Sequence, residues 1–433
     1  MTVEKVASIL LVLTMQAAAW PQTSSFPPQE NQLQLVHDDA QREILPTKAN
    51  ESLRIATFNV SLNRRNAGQL SMDLARGNAQ ISALARVIRL VQPDILLLNE
   101  IDYDAAADNA GKFQERYLNS PENDEFLSGP WNMPFQYSAS VNTGVPSGLD
   151  LNVNGRTGEP DDAWGYGAFP GQYGMAILSR FPIEQEAART FQHLLWSSMP
   201  SASLPKAPDQ EEPFYDMATW KQLRLSSKSF WDVPILTPQG TIHVLASHPT
   251  PPAFDGPEDR NGCRNHDEIK LISDYIHSAD YLRDDQGRPG GLEESAHFVV
   301  LGDLNSDPND GGSRTSAITA LLKDSRIAQV AAPRSVGGKM AAERQGEANQ
   351  QHAGPPEEDT ADFNDRSVGN LRADYALASS NCKVIQSGVF WPALESVAPE
   401  QRTALLESLR ASDHHLVWID VQLHNGKSTS SND

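Results

Sequence analysis

Cysteine is almost absent: Cys263 and Cys382 are the only two in 433 residues. Two thiols are too few for a disulfide framework, their spacing leaves pairing open, and no Cys/His cluster stands ready for a structural zinc ion. Long apolar runs are missing too. The stretch Val6–Met15 is too short to span a bilayer, and no other segment qualifies as a transmembrane helix. Basic residues are scarce, with Lys and Arg at 35 against 56 for Asp and Glu and a formal net charge of −21. That balance disfavours broad, sequence-independent binding to a nucleic-acid backbone, although a local basic pocket remains compatible with it. No internal repeat is present, which fits a single domain.

What is present begins with a leader. Val6–Met15 followed by Ala17-Ala18-Ala19 has the pattern of a signal peptide covering residues 1–19, so the expected location is secreted or periplasmic. Residues 20–52 are rich in Gln, Pro, Ser and charge and are expected to form a flexible linker. The folded domain is expected over 53–424, with a polar tail at 425–433.

Within the domain, apolar runs alternate with helical periodicity. Leu53–Val60, Asp94–Asn99, Gln222–Leu236, Thr241–Ser247, Phe298–Asp303, Leu371–Ala378, Lys383–Trp391 and Leu416–Leu423 read as strands. A further short strand is expected near Gln136–Val141, and the apolar GMAILSRFPI run begins at Gly174. Helices are expected over Arg76–Gln92, Asp267–Leu282 and Arg314–Leu322, with a short one opened by Pro399. Strands and helices across the whole chain predict one α/β domain built on two sheets. Two insertions interrupt it, near 142–173 and 335–370, the second reading as loop or disorder. In the first, DLNVNGRTGEPD fits D-x-N-x-N-G-x5-D, with Asp150, Asn152, Asn154 and Asp161 as oxygen ligands of a candidate calcium loop. It departs from the usual pattern by ending in Asp and by lacking flanking helices.

The chemistry gathers where apolar runs end. FVVLGDLN delivers Asp303 and Asn305, and the other ends carry Asn59, Glu100, His248, Asp374, and Asp413 with His414. In order, the strings TFN, NE, SH, GDLN, RADY and SDH resemble the endonuclease/exonuclease/phosphatase superfamily, with its deoxyribonuclease I-like fold, over about Leu53 to Leu423. The resemblance implies a four-layer sandwich of two mixed β-sheets flanked by helices, and a phosphoester hydrolase dependent on Mg2+ or Mn2+. Oxygen-rich ligands suit those hard cations.

By the same resemblance Glu100 is the first choice of metal ligand, with Asn59 beside it and Asp413 as a further one. Asp303 would orient or deprotonate the attacking water, Asn305 would hydrogen-bond the phosphate, and His414 would act at the scissile phosphate, oriented by Asp374. His248 stands where nuclease and sphingomyelinase members carry a second histidine. His415 is expected to point away. Asn99 replaces the family's usual Gln, which puts the surroundings of the metal in doubt. Arg260, Arg264 and His266 are candidate phosphate-binding groups, with Arg224 and Lys228 as weaker ones. The substrate is left as a nucleic acid, a small phosphoester or a phospholipid headgroup, with no protein partner implied. The alternative is a non-catalytic secreted binding protein that retains the fold.

Overall fold

Alternation along the strands sets the architecture of the computed structural model, which describes residues 47–119 and 130–424. In chain order the strands are β1 (Leu53–Leu62), β2 (Ile95–Ile101), β3 (Phe135–Tyr137), β4 (Met175–Ser179), β5 (Arg189–Thr190), β6 (Phe230–Thr237) and β7 (Gly240–Ser247). They continue with β8 (Phe298–Asp303), β9 (Ala361–Asp362), β10 (Asn370–Leu371), β11 (Asp374–Ala378), β12 (Cys382–Val389) and β13 (Val417–Leu423). One sheet has the order β12-β13-β1-β2-β4-β3, the other β11-β8-β7-β6-β5, and β9 and β10 pair separately. Each large sheet is mixed: β1 is parallel to β2 and antiparallel to β13, while β8 is parallel to β7 and antiparallel to β11.

Because side chains on a strand point to opposite faces in turn, each central strand feeds two cores. Leu53 and Ile55 of β1 join Ile95 and Leu97 of β2 and Val299 and Leu301 of β8 in a core between the sheets. Their sequence neighbours Ala56, Phe58, Leu96 and Leu98 face a second core on the outside of the first sheet, and Phe298 and Val300 face a third outside the other. The covering helices are α1 (Gln69–Arg76), α2 (Ala79–Val91), α3 (Arg260–Ile276), α4 (Ser316–Leu322) and α6 (Pro399–Leu409), while α5 (Val336–Gln345) packs Ala341 against the core between the sheets. Helix α2 turns Ile81, Leu84, Ala85, Ile88 and Val91 onto the first sheet, and α3 turns Ile269, Ile272 and Ile276 onto the second. Three cores between four layers confirm the expected sandwich. Each fully buried Leu or Ile in them contributes roughly 1.5–3 kcal/mol.

Several boundaries differ from those expected. The helix anticipated over Arg76–Gln92 is two: Gly77, at φ 84°, ends α1, and the Asn78 side chain caps α2 by accepting from the Ile81 N–H at 3.2 Å. Strand β6 starts at Phe230 rather than Gln222, so Arg224 and Lys228 lie on an irregular segment. Helix α3 starts at Arg260 rather than Asp267, which puts Arg260, Arg264 and His266 on its first two turns. Strand β3 stops at Tyr137, short of Val141. The insertion 335–370 is not a loop: Ser335 caps α5 at the Gly338 N–H, and the β9–β10 pair follows. The expected leader 1–19 and tail 425–433 lie outside the described residues, as does most of the linker. Its last residues lie against the domain, with Lys48 Nζ 2.7 Å from Asp94. Cys263 and Cys382 are buried and unpaired.

The 335–370 insertion also buries Asp359 among Asp307, Asp310, Glu358 and Glu357, and burial followed by those charges raises its carboxyl to about 8. A carboxyl raised from about 4 in the unfolded chain gives stability that is present below pH 4 and is lost as pH rises through 8. Asp359→Asn is therefore expected to be more stable than the parent at pH 8.5 by roughly 1–3 kcal/mol and equal to it at pH 4. Urea unfolding at the two pH values measures this, and equal differences at both would contradict it.

Candidate active site

The alternation that builds the inter-sheet core continues into the polar residues at the strand ends. Asn59 shares the parity of Ile55, Asn99 that of Leu97, His248 that of Ala246, Asp303 that of Leu301, and Asp374 that of Ala376. All five are buried, and they close one end of the inter-sheet layer. Asp374 and Asp303 are direct partners across β11 and β8. Asn59 Nδ2 donates to Asp303 Oδ2 at 3.1 Å, and the Asp303 N–H donates to Asn99 Oδ1 at 3.3 Å, so the two sheets are joined at the site.

Glu100 reaches the same place by breaking the pattern. It sits at φ 59°, and the register between β1 and β2 slips between Asn59 and Leu62. This left-handed backbone, unfavourable for a long side chain, sets its carboxylate beside Asn59, whose Nδ2 is 3.2 Å from Oε1. Asn305 is also left-handed, at φ 51°. Its N–H closes a turn on Asp303 Oδ1 at 3.0 Å and its Nδ2 reaches Pro249 O at 3.2 Å.

Two histidines flank one oxygen of Asp303. His248 Nε2 is 3.5 Å and His414 Nε2 3.6 Å from Oδ2. The other ring nitrogen of His414 is 2.8 Å from Asp374 Oδ2, which also accepts from Thr360 Oγ at 2.8 Å. Thr360 Oγ in turn accepts from the Asp374 N–H at 2.9 Å, so Thr360, just before β9, and His414 hold the carboxylate from two sides. Ser412 donates to Asn59 O and accepts from the His414 N–H, which fixes the loop before β13. His415 points away as expected, stacked on Trp391 with ring centroids 3.7 Å apart.

Burial and charge separate the protonation states. Burial raises Glu100 against the opposing pull of His414, and raises Asp303 to about 7 with Asp374 adding to the effect. Burial alone would depress His414, but Asp374 and Asp303 outweigh it and lift the ring well above its usual range, leaving an imidazolium. His248 is buried with Lys228 and His414 as its charged neighbours and falls well below, leaving a neutral ring. One histidine is thus set as an acid and the other as a neutral partner.

The donor set fits a hard divalent cation. Glu100, Asp303, Asp374 and Asp413 gather more negative charge than His414 and Lys228 offset, and Asp374 Oδ1 is buried without a hydrogen-bond partner among the described residues. Among the described residues, Asp303, Asp374 and His414 are grouped with ligand atoms within 4.8 Å of one another. The His414–Asp374 hydrogen bond occupies His414 Nδ1 and Asp374 Oδ2, while Glu100 accepts one hydrogen bond, from Asn59, among the described residues and is open to take an ion. Asn59 commits Nδ2 to the two acids and Oδ1 to the Ser61 N–H at 3.1 Å, and in this arrangement it serves as a tie between ligands. Asp413 is at the exposed rim, 3.3 Å from Ser61 Oγ.

The basic groups divide. Arg260 and Arg264 line a cavity that also takes in Glu100 and His248. Arg260 pairs with Glu258, while Arg264 donates to the carbonyls of Leu225, Trp164 and Arg224. His266 is instead bonded to Asp267 at 2.8 Å and is not part of that lining. Lys228, ranked low from sequence, is 6% exposed and borders the centre. Glu268 was not anticipated. Its two oxygens accept from the Ser227 and Thr250 N–H groups at 2.6 Å and so fix the segments that carry Lys228 and His248. In the first insertion, Asp150 accepts from the Asn154 and Gly155 N–H groups and Asn152 from Asn154, while Asp161 lines the cavity.

Solved structures similar to the chain include an endonuclease/exonuclease/phosphatase from Beutenbergia cavernae, 17% identical over 86% of this chain and 72% of that one, TM-score 0.44. Sphingomyelinase C from Streptomyces griseocarneus is 15% identical over 85% and 99% of the two chains, TM-score 0.40. Beta toxin from Staphylococcus aureus, with bound magnesium ions, is 13% identical over 86% and 100%, TM-score 0.41. No curated protein matches the chain. The model of the endonuclease/exonuclease/phosphatase family matches residues 56–414, from the third residue before Asn59 to His414, and the chain belongs to that family.

Proposed function

We propose that this protein is a secreted or periplasmic phosphoesterase that hydrolyses a phosphodiester or phosphomonoester by in-line attack of water, with Mg2+ or Mn2+ held at Glu100. The observation that carries the reading is Asp303 Oδ2, which has Asn59 Nδ2 at 3.1 Å and two histidine nitrogens at 3.5 and 3.6 Å. A carboxyl near neutrality in that position accepts the proton of the attacking water as a general base. Asn305 offers its remaining amide N–H to a non-bridging oxygen. His414, kept cationic by Asp374, stabilises charge building on the phosphoryl group. His248 stays neutral and orients the water or the ester oxygen. A bound divalent cation supplies neutralisation of the phosphate and of the leaving oxygen. Retention of this whole set supports an enzyme over a binding protein that only keeps the fold.

In the test, the protein is incubated with bis-p-nitrophenyl phosphate, p-nitrophenyl phosphate, plasmid DNA, RNA and sphingomyelin in Mg2+ or Mn2+. At least one ester should be hydrolysed, EDTA should abolish the reaction and either metal should restore it. Inertness towards all of them with both metals would overturn the reading. We assign a separate structural role to the loop of Asp150, Asn152, Asn154 and Asp161 as a calcium site. Calcium should raise the melting temperature of the EDTA-treated parent and not that of Asp150→Ala.

A further inference from the structure

Three segments remote in sequence, within residues 143–173, 196–228 and 250–264, meet beside Glu100 and His248 and enclose about 490 Å3. That volume falls in the range of roughly 300–1,000 Å3 typical of sites for drug-sized molecules. Beside the carboxylates of Glu100 and Asp161, its walls combine two chemistries. Tyr166, Trp196, Tyr215 and Phe254 supply aromatic surface, and two of these rings are left without cover: Phe254 is 90% and Tyr166 58% exposed. Phe254 is also held at φ 64°, an unfavourable conformation for a bulky residue and of the kind that persists at ligand clamps.

The second chemistry is cationic. Lys228 is buried to within 6%, and among the described residues its ammonium makes no hydrogen bond or ion pair, so a buried charge faces the cavity without a direct partner. Burial lowers the pKa of its ammonium, against the opposing pull of Glu268, Glu100 and Asp303. Arg224 is aimed by the Asn142 amide oxygen at 2.6 Å, and Arg264 by three carbonyls, so both are held by neutral acceptors.

Building on the phosphoesterase reading, the geometry points to the substrate class: a small phosphoester that carries an aromatic ring close to its phosphate. The ring lies among Tyr166, Trp196, Tyr215 and Phe254, an anionic oxygen meets Lys228, and the phosphorus reaches Asp303. Lys228, Arg224 and Arg264 repel a quaternary ammonium headgroup, which sets this cavity apart from a purely aromatic cage. A walled cavity in a chain of net charge −21 likewise favours a compact ligand over a long polyanion.

Calorimetry with phenylphosphonate and methylphosphonate, on the full chain in Mg2+, tests the assignment. The phenyl compound should bind at least tenfold more tightly. Lys228→Met should weaken both ligands about tenfold or more. Ala253→Trp, at an exposed position of the lining, should weaken only the phenyl compound. Equal affinities in the parent, or Ala253→Trp with unchanged phenyl affinity, would overturn the assignment. So would hydrolysis of plasmid DNA or sphingomyelin vesicles at the same rate by the parent and Ala253→Trp, and that outcome leaves the phosphoesterase reading intact. Failure to hydrolyse any ester removes that reading, whereas the calorimetric comparison still decides what the cavity binds.

Discussion

Asp303→Asn should lower kcat for bis-p-nitrophenyl phosphate by about 10^3-fold, within the 10^2–10^4 range of a positioned general base, with a much smaller change in KM. The substitution keeps shape and removes only the ability to accept a proton. Its structural cost is small, because the buried carboxylate it replaces is itself penalised by desolvation, which raises Asp303 to about 7. One contact does suffer: the new amide presents either an oxygen or an NH2 to Asn59 Nδ2, which now donates at 3.1 Å, while Oδ1 must still accept from the Asn305 N–H. The melting temperature should therefore stay within a few degrees of the parent. Activity within tenfold of the parent in a folded variant would remove Asp303 from the role of base and leave the flanking histidines as the alternatives.

Much of this site was legible because one rule carries through from core to chemistry. A residue two, four or six positions from an inter-sheet Ile, Val, Leu or Ala on a strand must point between the sheets, and Asn59, Asn99, His248, Asp303 and Asp374 all satisfy it. Glu100 does not, and only its positive φ brings it in. Such a backbone departure leaves no mark on the apolar pattern, so the family string NE was the available signal. The sequence pattern puts the start of helix α3 seven residues too late because GPEDRNG has the composition of a loop, although Cys263 already faces the core. Thr360 and Glu268 act across the fold, on Asp374 and on the Ser227 and Thr250 amides, and no local pattern announces such partners. The cavity is further out of reach of sequence, since its walls come from three separated segments.

Thr360, Asp374 and His414 together make the second large prediction. Asp374→Asn should reduce kcat by roughly 10^2–10^4-fold, comparable to loss of the carboxylate that orients a catalytic histidine elsewhere. Loss of activity alone would not distinguish orientation from folding, so the pH profile is the decisive measurement. His414 is raised by Asp374 ahead of Asp303, against burial, and the active form in this reading is the imidazolium. Activity that needs the charged ring is present below its folded pKa and falls as pH rises through it. Replacing Asp374 by an amide removes the largest raising influence, so the alkaline limb of the kcat profile must move to lower pH. Thr360→Val should shift it the other way, to higher pH, and by less, because it frees Asp374 Oδ2 from a competing hydroxyl donor, at a cost in stability from leaving the Asp374 N–H without its acceptor. An alkaline limb that stays in place in Asp374→Asn while activity drops would show that the carboxylate supports the fold around β8 and β11 and does not hold the proton on His414.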